Sequence, residues 1–504
     1  MSSRSGTKGL AFVGGLALAI SVGGTAASAP VSALGQTGGI HPAVSEYVQL
    51  NSSSTPPTQE QCISVGRRCF TPATTQAAYN LPAVYSSGYN GKGMTIAIID
   101  AYGSDTVAHD LHVYNQAFRL AKMCGEEAVT CAPGLPTFSQ LNLQGSPATK
   151  APPPKSKGTG QENKSAWALE VSLDVETAHA MAPGANILLV TTPTAETLGV
   201  QGLPQMMAAE QYVVDHHLAQ VISQSFASTE QAFNGKNSLL NLRHAFISAA
   251  ANGVTVLGSS GDGGTANGSK APVAGPNSGK VFPFPTVEWP ASDPLVTGVG
   301  GTYLCTDATN ILTRVADSTN PPANCQANPG VAEVGWVASG GGFSSVFARP
   351  DYQGVLPTDS TPIGAMRGVP DVALQASART GALVYLSLPP DGLSGLVCGA
   401  APCSTGWYDI GGTSLSCPQW AGLVAIADQM NGGGLGLINP ALYKIGRNAN
   451  SYAADFFDVT TGNNQADPAV PGYAATTGWD PVTGLGTPNA ATLLPDLVAA
   501  VNAK

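Results

Sequence analysis

Between residues 94 and 262, four short apolar runs alternate with three helical patterns, and this alternation limits the fold more than any other feature. The runs are MTIAIIDAYG (94–103), ANILLVTT (185–192), AQVISQSF (219–226) and GVTVLGSSGD (253–262). Between them lie AWALEVSLDVETAHAM (166–181), LPQMMAAEQYVVDHHL (203–218) and LLNLRHAFISAAANG (239–253). A strand that is apolar along its whole length needs cover on both faces. Strands separated by helices pair in parallel. The expected class is therefore α/β, a parallel sheet with helices on both faces. Ligands of such sheets bind beyond the carboxyl ends of the strands. That rim would carry Asp100, Ser225, Asp262 and the loop before Ser414. The segment APPPKSKGTGQENKS (151–165) reads as a surface loop.

Composition enters through compartment and partners. Apolar residues make up 43% of the 504, enough for a large core, while only 11% are charged. A net charge of −10 gives no basic footprint for nucleic acid. Few carboxylates also mean little change in self-repulsion when they protonate, which suits an acidic setting. Residues 1–29 read as a signal peptide: Arg4 and Lys8, an apolar stretch over 9–24, then Ala27, Ser28 and Ala29. The apolar stretch is shorter than a spanning helix needs, so no membrane anchor is expected and the protein should be secreted to the extracellular space. Residues 30–69 read as a flexible, polar leader. Eight of the nine cysteines fall into local pairs, 62/69, 124/131, 305/325 and 398/403, the pattern of loop-closing disulfides in an exported chain. Cys417 is left over and reads as a buried thiol.

The chemistry begins with DIGGTSLSCPQWAGLVAIADQ (409–429), where glycines, a threonine and a serine run into an apolar helix. Ser414 is either a helix cap or a nucleophile. Glu170 and Asp174 are four residues apart and share a helix face. An exposed acidic face is the plain reading of such a pair. Yet Leu169, Val171, Leu173, Val175 and Met181 make the helix apolar, and two buried carboxyls share protons and push one pKa up. Asp262, in GSSGDGG (258–264), is either a turn residue or a carboxyl aimed into the cleft. A serine hydrolase of this architecture normally uses a histidine base. None of the seven histidines, His41, His109, His112, His179, His216, His217 and His244, sits in the glycine-rich context typical of such a base. His179 comes nearest, at the end of the Glu170 helix. The constellation is a serine with carboxylates and no obvious histidine.

On these motifs the sequence resembles the sedolisins, the serine-carboxyl peptidases of subtilisin-like fold. The likeness runs from about Phe70 to the C-terminus, a single peptidase domain over 70–504. It rests on GKGMTIAIIDAYGS (91–104), Glu170-x-x-x-Asp174 followed by APGA, SSGDGG (259–264) and SGGGFSSVFARPDYQ (339–353). RGVPDVAL (367–374), GGTSLSCPQWAGLVA (411–425) and GWDPVTGLGTPN (478–489) follow in order. The resemblance implies Ser414 as nucleophile, Glu170 as general base and then acid, Asp174 as its holder, and Asp262 in the oxyanion hole. Asp100 would extend the carboxyl network, and Ser225 and Phe226 would line the substrate wall. It also implies one structural Ca²⁺, held at Asp458, Val459, Thr476, Gly478 and Asp480. Substrates would be proteins or peptides. Only the 30–69 leader precedes the domain, too short for a full-size folded propeptide. The leading expectation is an acid-acting endopeptidase. Alternatives are a tripeptidyl-type exopeptidase, a catalytically silent binding protein on the same fold, and a subtilisin-like enzyme with a displaced histidine.

Overall fold

The computed structural model describes residues 41–42, 46–143, 160–193, 202–269, 281–354, 362–389 and 393–503. The expected signal peptide lies outside them. Among these residues an eight-stranded sheet runs Glu333–Gly335, Thr297–Leu304, Thr255–Ser259, Val221–Gln224, Thr95–Ala101, Asn186–Thr192, Phe138–Asn142. Val372–Gln375 also pairs with Thr297–Leu304. Only the Glu333–Gly335 edge is antiparallel. Side chains alternate across the central strand: Ile96 and Ile98 pack with Val171, Val175, Trp420 and Leu493, whereas Ala97 and Ile99 pack with Met206, Met207 and Phe246. Helices therefore cover both faces, as the apolar strands require.

Two helices on one face position the site. Gly160–Met181 carries the acidic pair, and Thr413–Asn431 carries Ser414 and is buried from Thr413 to Asp428. The two helices pack against each other, and where they meet Gly422 is required, since a Cβ there would lie 2.7 Å from the Met181 Cβ. The four cysteine pairs form as expected, and Cys417 is free and buried.

Four expectations need correction. The acidic helix starts at Gly160, inside the segment read as loop. The run 219–226 is not one strand. Val221–Gln224 stays in the main sheet, while Phe226–Thr229 joins a small sheet between His41–Pro42 and Glu288–Trp289. Ser225 sits at the break with its hydroxyl toward Asp174. The helix expected over 239–253 is two pieces, Lys236–Leu240 and His244–Ala251. Arg243, between them, sends a guanidinium N–H to Asp293 at 2.8 Å.

The fourth correction concerns the leader. From Glu46 it is part of the fold. Glu46–Asn51 pairs antiparallel with Gly406–Gly411, the strand that leads into Ser414. Gln59–Ser64 is a helix with a Thr58/Gln61 capping box, followed by the Cys62–Cys69 disulfide. Polar side chains that suggested flexibility are spent as specific partners. Gln49 donates to the Ser404 carbonyl at 2.9 Å and accepts from its N–H at 3.1 Å. The Arg67 guanidinium reaches Glu46 at 3.2 Å.

Candidate active site

Ser414 is the second residue of its helix, not the cap. Gly412 is the N-cap, with φ 137° and no side-chain cap bond. Gly411, just before it, has no room for a side chain: a Cβ there would lie 2.1 Å from the Ala378 amide nitrogen. This turn brings the helix start to the sheet rim, where first-turn N–H groups have no intrahelical acceptor. One of them, Thr413 N–H, donates to Asp262 Oδ1 at 2.7 Å. The Thr413 hydroxyl donates to the same oxygen at 2.9 Å and accepts from Gly261 N–H at 3.1 Å. Asp262 comes from the loop after Thr255–Ser259, so it caps the Ser414 helix from another part of the chain.

Glu170 faces the same helix start. It is fully buried, and the Ser414 hydroxyl lies close enough to draw its pKa down, although neither carboxyl oxygen has an aligned hydrogen bond. The net shift is strongly upward. Burial contributes most, followed by the Asp174 and Asp100 charges; Asp262 adds less. Asp174 is likewise pushed well up, by burial and then by Asp100, with the Ser225 hydroxyl opposing. Asp100, at the end of the central strand, is fully buried and raised to about 8 by loss of water. Three carboxyls thus cluster, with Glu170 the one beside the Ser414 hydroxyl and Asp262 a fourth across the helix start. Like charges this close cannot all ionise, so the cluster holds protons and titrates as a coupled group.

The structure therefore brings together Glu170, Asp174, Asp262, Ser414 and Asp100. No histidine contributes to the electrostatics of Glu170. His179 places Nε2 2.8 Å from the Ala121 carbonyl, and its burial lowers its pKa to about 4. His109 and His112 meet Glu127 and Glu126, and His216 stacks on Tyr212.

The two wall residues differ from the simple expectation. The Phe226 side chain is fully buried in the core, and the Ser225 hydroxyl turns inward to Asp174. Only their backbone is left for a peptide. In this structure Pro42 and His41 pair antiparallel with Phe226 and Ala227.

At the expected cation site, Asp458 accepts from Gly478 N–H at 3.1 Å and from the Tyr452 hydroxyl at 3.0 Å. Asp480 accepts from the N–H groups of Thr476 at 3.0 Å, Val482 at 2.8 Å and Thr483 at 2.9 Å. The Asp458–Gly478 bond joins the two loops. Burial raises Asp458 and takes Asp480 to about 7, so a neighbouring cation would relieve both. No cluster of three His, Cys, Asp or Glu side chains suited to a metal occurs among the described residues. A cation here must complete its shell with backbone carbonyls, an all-oxygen set that fits hard Ca²⁺.

Sequence reasoning missed Thr413 and Glu288. Thr413 stands inside the Gly-Thr-Ser motif, and its type was the available signal. Glu288 carries none, because it reaches the site only through the fold: a Cβ on Gly261 would lie 2.2 Å from Glu288 Oε2.

No protein-family model matches the chain. Kumamolisin from Bacillus sp. (strain MN-32) is 30% identical over 438 residues, covering 86% of this chain and 65% of the relative. Tripeptidyl-peptidase SED4 from Arthroderma otae is 31% identical over 372 residues, covering 67% and 53%. Tripeptidyl-peptidase 1 from Homo sapiens is 30% identical over 361 residues, covering 67% and 53%. The chain thus spans less than two thirds of these relatives' lengths. Among solved structures, Pseudomonas sedolisin (serine-carboxyl proteinase) complexed with two molecules of pseudo-iodotyrostatin matches with a TM-score of 0.60 and 26% identity. That match covers 85% of this chain and 98% of the other.

Proposed function

The chain belongs to the sedolisin family of serine-carboxyl peptidases, and from that premise we propose that it is a secreted, acid-acting endopeptidase. The observation that carries the reading is the Ser414 hydroxyl against the Glu170 carboxyl, inside a carboxyl cluster without histidine.

Ser414 Oγ attacks the scissile carbonyl carbon while its proton moves to Glu170. Asp174 keeps Glu170 oriented and its charge shared, the role an aspartate plays beside a histidine base. The carbonyl oxygen becomes an oxyanion. It is met by the Ser414 backbone N–H and by a protonated Asp262. The C–N bond then breaks, and the Glu170 proton goes to the leaving amine. Water repeats the sequence on the acyl-enzyme: Glu170 takes its proton, the ester bond breaks, and Ser414 recovers its hydrogen. The backbone at Ser225 and Phe226 is the proposed wall for an extended substrate. Asp458 and Asp480, with the carbonyls of Val459, Thr476 and Gly478, are the proposed holders of one Ca²⁺. That ion would tie two loops together without taking part in the chemistry.

A tripeptidyl-type exopeptidase is the second reading, favoured by the names of the Arthroderma and human relatives. An acid digest of matched peptides with free and acetylated N-termini separates the two. Cleavage of blocked peptides supports the endopeptidase, and release of tripeptides from free ends alone supports the other. The catalytic reading itself is tested by kcat/KM from pH 2 to 9. The first proton to leave the coupled cluster supplies the base while Asp262 keeps its own. The window is therefore expected on the acid side, at roughly pH 3–5 for ordinary carboxyls and higher to the extent that burial raises Glu170. An optimum at neutral pH would falsify the carboxyl mechanism, because a histidine base loses activity below about pH 6.5.

A further inference from the structure

The Asp262 carboxyl can serve an oxyanion only if its proton sits on the oxygen that faces the oxyanion, and something must choose that oxygen. Oδ1 already receives two hydrogens, from Thr413 N–H at 2.7 Å and the Thr413 hydroxyl at 2.9 Å. Gly261 N–H takes one of the hydroxyl's acceptor lone pairs at 3.1 Å, and the hydroxyl's own hydrogen is directed to Oδ1. Thr413 is fully buried, and its branched Cβ restricts the rotamers open to the hydroxyl. An oxygen that accepts two donors is a poor seat for a proton.

We propose that Thr413 is a positioning residue that assigns the Asp262 proton to Oδ2, the oxygen turned away from the two Thr413 donors, and so orients the acid offered to the oxyanion. The inference rests on the reading of Asp262 as an oxyanion donor. Among the described residues, the ionisable groups near Asp262 include Glu170 on the acidic helix, and Glu288 lies against the preceding Gly261. Both are acids, so neither offers a positive charge in place of the Thr413 hydroxyl, and removing that hydroxyl takes away a donor that favours ionised Asp262. The direction is then fixed: without that donor, Asp262 ionises at higher pH.

The test is kcat and KM against pH for wild type, Thr413→Ser and Thr413→Val, each checked for a cooperative melt. Thr413→Ser keeps the hydroxyl and should stay within about threefold of wild type, with the same alkaline limb. Thr413→Val should lower kcat by about 10- to 100-fold, leave KM nearly unchanged, and move the alkaline limb upward. In an Asp262→Asn background, Thr413→Val should still lower kcat, but with no limb to move, because the amide does not titrate. An unmoved limb in Thr413→Val overturns the proposal, as does an equal kcat loss in Thr413→Ser, since both describe simple packing. A wild-type profile with no alkaline limb near the carboxyl range would instead overturn the role of Asp262 itself.

Discussion

Two buried carboxyl groups in this protein are built on opposite plans. Asp371 is fully buried, and both its oxygens are filled. Oδ1 accepts from Arg367 at 2.8 Å and Tyr443 at 2.9 Å; Oδ2 accepts from Arg367 at 2.6 Å and Gly298 N–H at 2.8 Å. Glu170, Asp174 and Asp100 are equally buried, yet among the described residues they have no cation opposite and no aligned hydrogen bond. The first arrangement is paired and inert. In the second, the cost of burying charge appears as proton affinity, which a general base and acid can use. Burial alone does not mark an active site; burial without a partner beside a nucleophile does.

Ser414→Ala gives the largest expected effect and tests the reactive side of this comparison. Turnover should fall by roughly 10⁴-fold or more. The melting temperature should barely move, because the hydroxyl is not the helix cap. Near-native turnover would leave the cluster without a nucleophile and erase the contrast.

The inert side is tested by Arg367→Met. Breaking a buried pair strands the Asp371 charge and should cost about 3–5 kcal/mol in denaturant unfolding. The pH–rate profile should keep its shape. A shifted profile would mean that the two groups communicate.

A third experiment sharpens the comparison through stability against pH. Glu170 and Asp174 are raised, and Asp100 stands at about 8, so the folded state holds protons that the unfolded state releases from about pH 4. Their stabilising effect is complete below the unfolded pKa and is lost as pH climbs through the folded values. Glu288, at about 8, and Asp110, at about 6, act in the same direction. His179, lowered to about 4, opposes them between about pH 4 and 6.5. Calorimetry should give a melting temperature several degrees higher at pH 4 than at pH 8. Asp100→Asn should flatten that slope, and a slope of the reverse sign would contradict the raised cluster.

The smallest effect expected is from chelation. Asp458 and Asp480 stand between the two plans, bonded to backbone N–H groups but raised by burial. A cation bound only by the folded state would add about 2.7 kcal/mol at a hundredfold excess over its Kd. EDTA should lower the melting temperature by a few degrees and change the initial rate little. An unchanged melt, with no calcium by elemental analysis, would make the two aspartates loop ties only.

The parallel sheet and its two helical layers were legible because a strand such as TIAIIDA is apolar on both sides, a property of local sequence. The four disulfides were legible from short spacing, and Glu170 with Asp174 from helical period. The break at Ser225 was not, because an eight-residue apolar run looks continuous until one hydroxyl finds Asp174 across the fold. The leader was misread for a similar reason. Its polar residues resemble a solvated tail, and only the backbone of Gly406–Gly411 and the Ser404 amide turn them into a strand with partners.

The sequence by itself determined the layers, the cross-links and the types of reactive group, since these follow from periodicity and composition over short stretches. Tertiary structure alone decided how completely Asp100, Asp174 and Glu170 are buried together, with the Ser414 hydroxyl beside Glu170, and that Asp262 caps a helix 151 residues away. Proton affinity depends on distance between charges and on exclusion of water, and both are set by how distant segments pack.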